Sequence, residues 1–429
     1  MNPPHDASNP AAHADFAAFV GIDWADRCHA LCLRVAGEHD ACALTLDHTP
    51  EALDAFAPQL RQRFGGRPVA VAVELSRGPL IYALCRHAHL VIHPVPPARL
   101  SSYRKAFVAS GAKDDPTDAR LILDYLLKHR DQLRPWRPEE ESVRRLRALV
   151  EQRRAFVEQR TALSNQLVSR LKTYFPQAID WIGDKSYGRM ACDFLTKWPD
   201  LASVQRARPA TVRAFYFAHG VRRADVIQRR LEAIAHAAPL TDDPAIIDVG
   251  VQTVLALAKL LHELGKVIAG FDKRIRTQFA QHQDMGLFAS LPGAGKALAP
   301  RLLCALGADR SRFTDARQLQ AYSGIAPVTR RSGRQHTVHR RWAAPTFLRQ
   351  TFHEFAQHSI GQSAWAAACY QQQRQRGAGH HAAVRALAFK WIRILFACWR
   401  TRTPYDESRY HDQLRRRRSP LQAHLPDTA

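Results

Sequence analysis

The chain contains no Cys-x-x-C pair. Its eight cysteines stand apart at positions 28, 32, 42, 85, 192, 304, 369 and 398. This spacing argues against a zinc ribbon or a thioredoxin-like site. The first residues, 1–15, lack the charged-then-apolar layout of a secretory signal and read as a disordered tail. Without such a signal, reduced thiols and a cytoplasmic location are expected. No uninterrupted apolar run is long enough to span a bilayer, so no membrane partner is expected. Acidic residues are scarce in the last third: from Gly286 to the end there are 7 Asp and Glu against 23 Lys and Arg.

The residues that are present complete the contrast. Lys and Arg total 62 against 39 Asp and Glu, a net charge of +23. Such an excess favours a polyanionic partner, and its concentration after Gly286 puts most of the field there. Hydrophobic residues make up 46%, enough for real cores, which excludes a disordered protein. A length of 429 residues suits two to four domains.

From Phe16 to about Arg130 the pattern is α/β. Strands are predicted at 19–23, 29–35 and 42–46. The clearest strand is 68–74, where Pro-Val-Ala-Val-Ala-Val-Glu follows a Gly-Gly-Arg-Pro turn. Residues 50–64 read as an amphipathic helix and 90–95 as a further strand. Residues 115–128 read as a helix with Pro116 in its first turn. Strands clustered early, then alternating with helices, predict a mixed sheet with helices packed on it.

Long helices take over from about Glu139, and residues 180–245 are less regular. Val254, Leu257, Leu261, Leu264, Ile268, Phe271 and Ile275 alternate steps of three and four without a miss. This heptad seam fits either a helix packed inside one domain or a coiled coil within or between subunits. From Leu287 a compact, mostly helical domain with a basic loop is expected. Arg415-Arg416-Arg417-Arg418 belongs to a flexible basic tail.

Four acids form an ordered set: Asp23 at the end of the first strand, Glu74 on a later strand, and Asp115 with Asp118 on a helix. Phosphodiester chemistry places negative charge on oxygens in the transition state. Two divalent cations, such as Mg²⁺, about 3.5–4 Å apart clamp the attacking and leaving oxygens, and hard cations need converging carboxylates. The i, i+3 spacing puts Asp115 and Asp118 on one helix face, and strand-end acids sit where open α/β sheets place their sites. Each acid also has a plain reading. Asp23 fits a strand-end turn and Asp115 a helix cap. Glu74 fits a buried ion pair with Arg77 or Arg86.

Gly21-Ile22-Asp23-Trp24-Ala25, Val73-Glu74 and Lys113-Asp114-Asp115-Pro116-Thr117-Asp118-Ala119-Arg120 resemble the DEDD, RuvC-like domain of the IS110 family of insertion-sequence transposases. Leu291-Pro292-Gly293-Ala294-Gly295, Tyr322-Ser323-Gly324-Ile325-Ala326-Pro327 and Arg331-Ser332-Gly333-Arg334 resemble the C-terminal domain of that family. The likeness spans about residues 17–400. It implies a RuvC/RNase H-like mixed sheet and DNA recombination by a carboxylate site plus a serine. Asp23, Glu74, Asp115 and Asp118 occupy the acid positions and Ser332 the serine position. It also implies a homo-oligomer, dimer or tetramer, held through the long helices, and a structured non-coding RNA that pairs with donor and target DNA.

The implied divisions are a RuvC-like domain at 16–135, a helical and coiled-coil oligomerisation region at 136–285, a domain with a serine loop at 286–405, and the tail at 406–429. The chain departs from the family at Asp114, where Thr is common and where a second carboxylate competes with Asp115. The stretch after Ser332 also lacks a Gly- and Lys-rich run, and 180–245 looks like extra material.

Pro292-Gly293-Ala294-Gly295-Lys296 is not a P-loop, because Ser290 and Ala297 replace its Gly and its Ser/Thr. A turn of this kind opening a helix grips a phosphate through backbone amides or simply connects two helices. Ser332 lies among Arg330, Arg331 and Arg334, with Arg340 and Arg341 beyond. The arginines suit a phosphate. A serine hydroxyl needs help losing its proton, for which His336 and His339 are candidates. Two other readings use the same residues: a metal-dependent nuclease or junction resolvase with Ser332 as a phosphate contact, and a non-catalytic nucleic-acid-binding protein.

Overall fold

A computed structural model describes residues 15–74, 78–107, 115–333 and 335–421. The N-terminal tail, Arg77, Lys113, Asp114 and Arg334 lie outside the described residues. The chain divides into two compact units, Met1–Pro138 and Glu139–Ala429.

Unit 1 contains β1 (Ala18–Asp23), β2 (Cys28–Val35), β3 (Cys42–Asp47), α1 (Pro50–Arg63), β4 (Val69–Val73), α2 (Pro79–Leu84), β5 (Leu90–Pro94), α3 (Pro97–Phe107) and α4 (Asp115–His129). Among the described residues the sheet order is β3-β2-β1-β4-β5. The β3-β2-β1 pairs are antiparallel and the β1-β4-β5 pairs parallel. This is the mixed sheet that the sequence predicts.

Strand β4 shows why it is central. All five of its residues are buried, as a parallel strand covered on both faces requires. Val69, Val71 and Val73 join a core with Leu53, Phe56 and Leu60 of α1 and Leu80, Ile81 and Leu84 of α2. Ala70 and Ala72 face a second core with Leu100 of α3 and Ile122, Tyr125 and Leu126 of α4. Small residues on that face let α4 sit close. At Gly21 the approach is closest, since a Cβ there would overlap the Ala119 carbonyl oxygen and the Leu123 amide. The charges of α4 also suit its dipole, with Asp115 and Asp118 in the first turn and Lys128 and His129 in the last.

Unit 2 opens with α5 (Glu141–Tyr174), followed by α6 (Ala178–Trp181), α7 (Arg189–Lys197), α8 (Leu201–Gln205), α9 (Pro209–Ala218) and α10 (Ala224–His236). Next come α11 (Pro244–Ala280), α12 (Met285–Ala289), α13 (Gly295–Leu306), α14 (Ala316–Tyr322), β6 (Val328–Ser332) and β7 (Gln335–His339). The unit continues with α15 (Thr346–Ser359), α16 (Ala364–Gln375), α17 (His380–Thr401) and α18 (Glu407–Arg416).

Helices α5 and α11 pack antiparallel. Tyr174, at the end of one, covers Gly250 near the start of the other, and Arg153 pairs with Asp272 at the far end. Within the heptad seam Val254, Leu257, Leu261, Ile268 and Ile275 are buried, so this face packs inside the chain. The less regular stretch makes a helical core around Phe194, Trp198, Phe215 and Tyr216. A separate core is built on α13, α15 and α17, with Trp365, Trp391 and Trp399 fully buried.

By length and composition alone α11 is apolar enough to cross a bilayer, as the core helix of a folded protein also is, and its apolar residues are interrupted by Asp248, Lys259 and Glu263. Two expectations are corrected. The basic loop is a β-hairpin, β6 paired with β7 from Val328–His339 to Ser332–Gln335. Part of the tail is ordered as α18: Leu414 and Leu421 are buried, Tyr410 packs on Trp365, and Glu407 accepts from the Ser363 hydroxyl at 2.8 Å.

His93 of β5 is buried edge-on against Phe16, and burial, with a smaller push from Arg130, lowers its pKa to about 4. The unfolded chain therefore takes up the proton first. The stabilisation is complete above the ordinary histidine value, falls as pH drops from there toward 4, and then levels. The loss is about 3 kcal/mol. Buried His29 and half-buried His87 are also pushed down, chiefly by desolvation, and add the same sign. Urea titrations of the intact chain at neutral and acidic pH, read by pulse labelling of β4 and β5 peptides, should show this slope. His93→Leu should remove most of it.

Candidate active site

Two of the predicted acids of unit 1 stand at one end of the sheet. Asp23 is the last residue of β1 and Glu74 follows the last residue of β4, and both are half-buried. The parallel register pairs Ile22 with Val73. Asp23 and Glu74 thus take the next positions at the carboxyl ends of neighbouring strands, which run roughly 4.8 Å apart.

Helix α4 runs antiparallel to β1. Arg130, just past its C-terminus, lies 5.1 Å over Phe16 and 5.7 Å over Phe19, at the start of β1. Ala119 and Leu123 lie over Gly21 further along. The first turn of α4 therefore points toward the strand end that carries Asp23. Asp115 is exposed there, whereas the Asp118 side chain is only 3% exposed.

The structure supplies a counter-ion that sequence reasoning did not anticipate. Arg104 of α3, itself 26% exposed, forms an ion pair with Asp118, and its buried Nε has no hydrogen-bond partner. Of the two arginines that the sequence offers Glu74 as ion-pair partners, Arg86 pairs with Asp54. Among the described residues no three His, Cys, Asp or Glu side chains converge to hold a cation. Asp23 and Glu74 offer carboxylate oxygens at the strand ends, a donor type that suits a hard divalent cation, while Asp118 is engaged by Arg104.

Sequence reasoning also missed a histidine pair beside Asp23. His29 of β2 is fully buried; its Nδ1 accepts the Ala25 N–H at 3.1 Å, and its Nε2 lies 2.9 Å from His48 Nδ1. With Nδ1 accepting, neutral His29 carries its proton on Nε2 and donates to His48. Burial first, and His48 second, hold its pKa below the ordinary value. The His48 ring meets Trp24 edge-on at 6.5 Å. The pair ties the turn after Asp23 to β2 and β3. The available signal was alternation: His29 shares a strand face with Leu31 and Leu33.

In unit 2, Ser332 ends β6, and its hairpin partner is Gln335. Side chains alternate along a strand, so Ser332 and Arg330 share one face while Arg331 points to the other. Ser332, Arg330 and Arg331 are all exposed. His339 is four residues from Gln335 along β7, roughly 13 Å, and its Nε2 is instead 3.1 Å from the Thr337 hydroxyl. It is out of reach as a base for Ser332. The other serine of this region, Ser323, is fully buried and donates to the Gln320 carbonyl at 3.1 Å.

Gly293 and Gly295 differ. A Cβ at Gly293 would come within 2.8 Å of the His358 carbonyl, which gives that glycine a packing reason; Gly295, with φ of 51°, faces open space. Lys296 lines a cleft with Arg153, Arg154 and Arg301. There Arg154 and Arg301 both pair with Glu354. Arg340 and Arg341 follow β7, and Arg341 has a buried Nε without a partner.

Residues 20–176 match a transposase family model of the DEDD, IS110 type, and residues 285–371 match one described as the transposase IS116/IS110/IS902 family. The IS117 mini-circle protein of Streptomyces coelicolor, named as a transposase, is 31% identical over 406 residues, covering 91% of this chain and 96% of that protein. An uncharacterized 42 kDa protein of insertion element IS900 from Mycobacterium paratuberculosis is 27% identical over 79% of this chain and 85% of its own length. A 44.8 kDa protein of IS116 from Streptomyces clavuligerus is 28% identical over 75% and 79%.

Removing one partner of a buried ion pair strands the other. Arg104→Gln should lower the stability of unit 1 by roughly 3 kcal/mol. Arg104→Gln combined with Asp118→Asn should recover most of that loss in thermal unfolding. A neutral Arg104→Gln would show that the pair does not secure α3 to α4.

Proposed function

The chain belongs to the IS116/IS110/IS902 family of insertion-sequence transposases, and on that premise we propose that it cuts and rejoins DNA with the carboxylates of unit 1 and Ser332 of unit 2. The observation that carries this reading is the placement of Asp23 and Glu74 at the carboxyl ends of the adjacent strands β1 and β4, inside the segment that matches the DEDD model. Ser332 lies inside the second matched segment, on an exposed arginine-bearing hairpin.

Divalent cations, Mg²⁺ and two per site, held by Asp23, Glu74, Asp115 and Asp118 would stabilise charge on the attacking and leaving oxygens. The chain's own residues do the rest. Arg330, on the serine face, and its neighbours Arg331, Arg334, Arg340 and Arg341 hold non-bridging phosphate oxygens. The Ser332 hydroxyl attacks phosphorus, so an Oγ–P bond forms. The bond from phosphorus to one sugar oxygen breaks, and that sugar leaves as a hydroxyl with the proton the serine gives up. The bond energy stays in the phosphoserine ester, so the reverse attack by another sugar hydroxyl rejoins strands without ATP. Gly293, Gly295 and Lys296 belong to the same phosphate-binding surface, with Gly295 the open backbone position.

The proposal includes a structured RNA from the element as guide, supported by the family resemblance and by the basic charge after Gly286. It also includes a homo-oligomer, dimer or tetramer, through the long helices. Support comes from the free face of α11. Ile246, Val249, Leu260 and Val267 are exposed, and they fall with Thr253, Ala256 and Glu263 on a second run of alternating threes and fours. Four exposed apolar side chains thus share one stripe over about six turns, interrupted by Thr253 and Glu263, as the seam of a helix pair between copies allows.

One observation favours the nuclease reading: all four predicted acids belong to unit 1, and His339, the histidine on the serine face, is out of reach of Ser332. The two are separated by incubating the protein with element-end DNA and Mg²⁺ and resolving products on a denaturing gel. A protein–DNA adduct should form, and Ser332→Ala and Asp23→Ala should each lower it by about 100-fold or more. Hydrolysis lost in Asp23→Ala but unaltered in Ser332→Ala, with no adduct, would establish the nuclease instead. For the assembly, Val249→Glu with Leu260→Glu should reduce the mass seen by light scattering to that of a single chain. The thermal transition should stay in place, because the buried seam is untouched; an unchanged mass would refute this interface.

A further inference from the structure

Trp342 is 74% exposed, the most exposed of the large apolar side chains among the described residues. Leaving an indole in water forgoes substantial burial, and tryptophan is usually mostly covered. Its surroundings are built rather than loose. Arg349 Nη1 donates to the Trp342 carbonyl oxygen at 3.2 Å. Gly324 packs so tightly against Ala344 that a Cβ there would overlap it, and the adjoining Ile325 is buried. The chain that carries the indole is thus fixed to the core of unit 2. The Arg340 guanidinium lies 4.8 Å from the ring centroid, so it takes up one neighbourhood of the ring and leaves the remainder to solvent.

The charge around it has one sign. Between Asp315 and Glu354 the chain has no acidic residue and seven arginines, at 317, 330, 331, 334, 340, 341 and 349. Arginines alone suffice to hold phosphates. A flat aromatic surface beside a guanidinium adds a different capacity, the stacking of a base. Trp342 stands three residues beyond β7, at the base of the hairpin whose tip carries Ser332; the hairpin itself spans roughly 13 Å from Gln335 to His339.

We infer that Trp342 is a stacking platform for an unpaired nucleobase of the nucleic acid engaged by the hairpin. A base inside a duplex has no free face to offer, so the ligand is a single-stranded or flipped-out nucleotide. This inference rests on the recombinase reading.

The test uses the full chain and fluorescence anisotropy with labelled oligodeoxythymidine, oligouridine and a blunt duplex of equal length. Trp342→Ala should weaken one or both single-stranded probes by about 10-fold, a typical stacking loss, with the duplex unaffected. The salt dependence should be retained, because no charge is removed. Trp342→Phe should recover most of the affinity. A loss confined to thymidine identifies DNA as the ligand, and one confined to uridine identifies RNA. Equal losses on all three probes, no loss on any, or a changed oligomer mass in Trp342→Ala would overturn the inference. If the unmodified chain bound none of the probes, the nucleic-acid reading itself would fall.

Discussion

The contact between α4 and β1 at Gly21 is the constraint on which unit 1 depends. Only a residue without a Cβ lets the Ala119 carbonyl and the Leu123 backbone approach the strand so closely. That approach sets the helix height above the sheet, and Ala70 and Ala72 of β4 keep the neighbouring surface low enough to accept it. With the helix fixed by Gly21 in the middle and Arg130 over Phe16 and Phe19 at one end, the position of its first turn is no longer free. Asp118 is therefore buried by geometry, and a buried carboxylate requires a positive partner. Arg104 meets that need in the protein alone. The same reasoning explains why the acid end is made of backbone-anchored groups. Two acids end adjacent parallel strands, and one is locked on a helix.

Much of this was legible because it depends on short-range pattern. The Val-Ala-Val-Ala-Val run could only be a strand buried on both faces, and Asp115-Pro116 could only open a helix. The heptad from Val254 to Ile275 gave α11, but the same heptad could not say which partner it packs on. The structure answers with α5, through Gly250 beneath Tyr174 and Arg153 with Asp272.

Other features needed contacts between residues far apart in sequence. Nothing near Asp118 in the chain announces Arg104 on another helix, because an ion pair across 14 positions has no periodic signature. His29 is 19 residues from His48, and only the β2–β3 pairing brings them together. The hairpin was missed as a strand pair because its residues, Val-Thr-Arg-Arg-Ser and Gln-His-Thr-Val-His, lack the apolar alternation of a half-buried strand. Both faces are in solvent, so polarity there reflects exposure and not the absence of a strand. Helix α18 was concealed by its arginines. Its few apolar anchors, Tyr410 and Leu414, are enough to dock it beside Trp365.

The two halves of the chain solve opposite physical problems. In unit 1, Asp23 and Glu74 end adjacent strands and Asp118 is buried on a helix, so like charges are held on elements that cannot relax. In unit 2, Ser332 stands exposed beside the turn of a hairpin, open to solvent. An exposed hydroxyl gains nothing from a low-dielectric surrounding, and the positive field must come from neighbours on the same strand pair. The acid-free run from residue 316 to 353 supplies that field, with no carboxylate within it to pair with its arginines. The high net charge of the chain comes in part from this run, where arginines accumulate in sequence without acids to offset them.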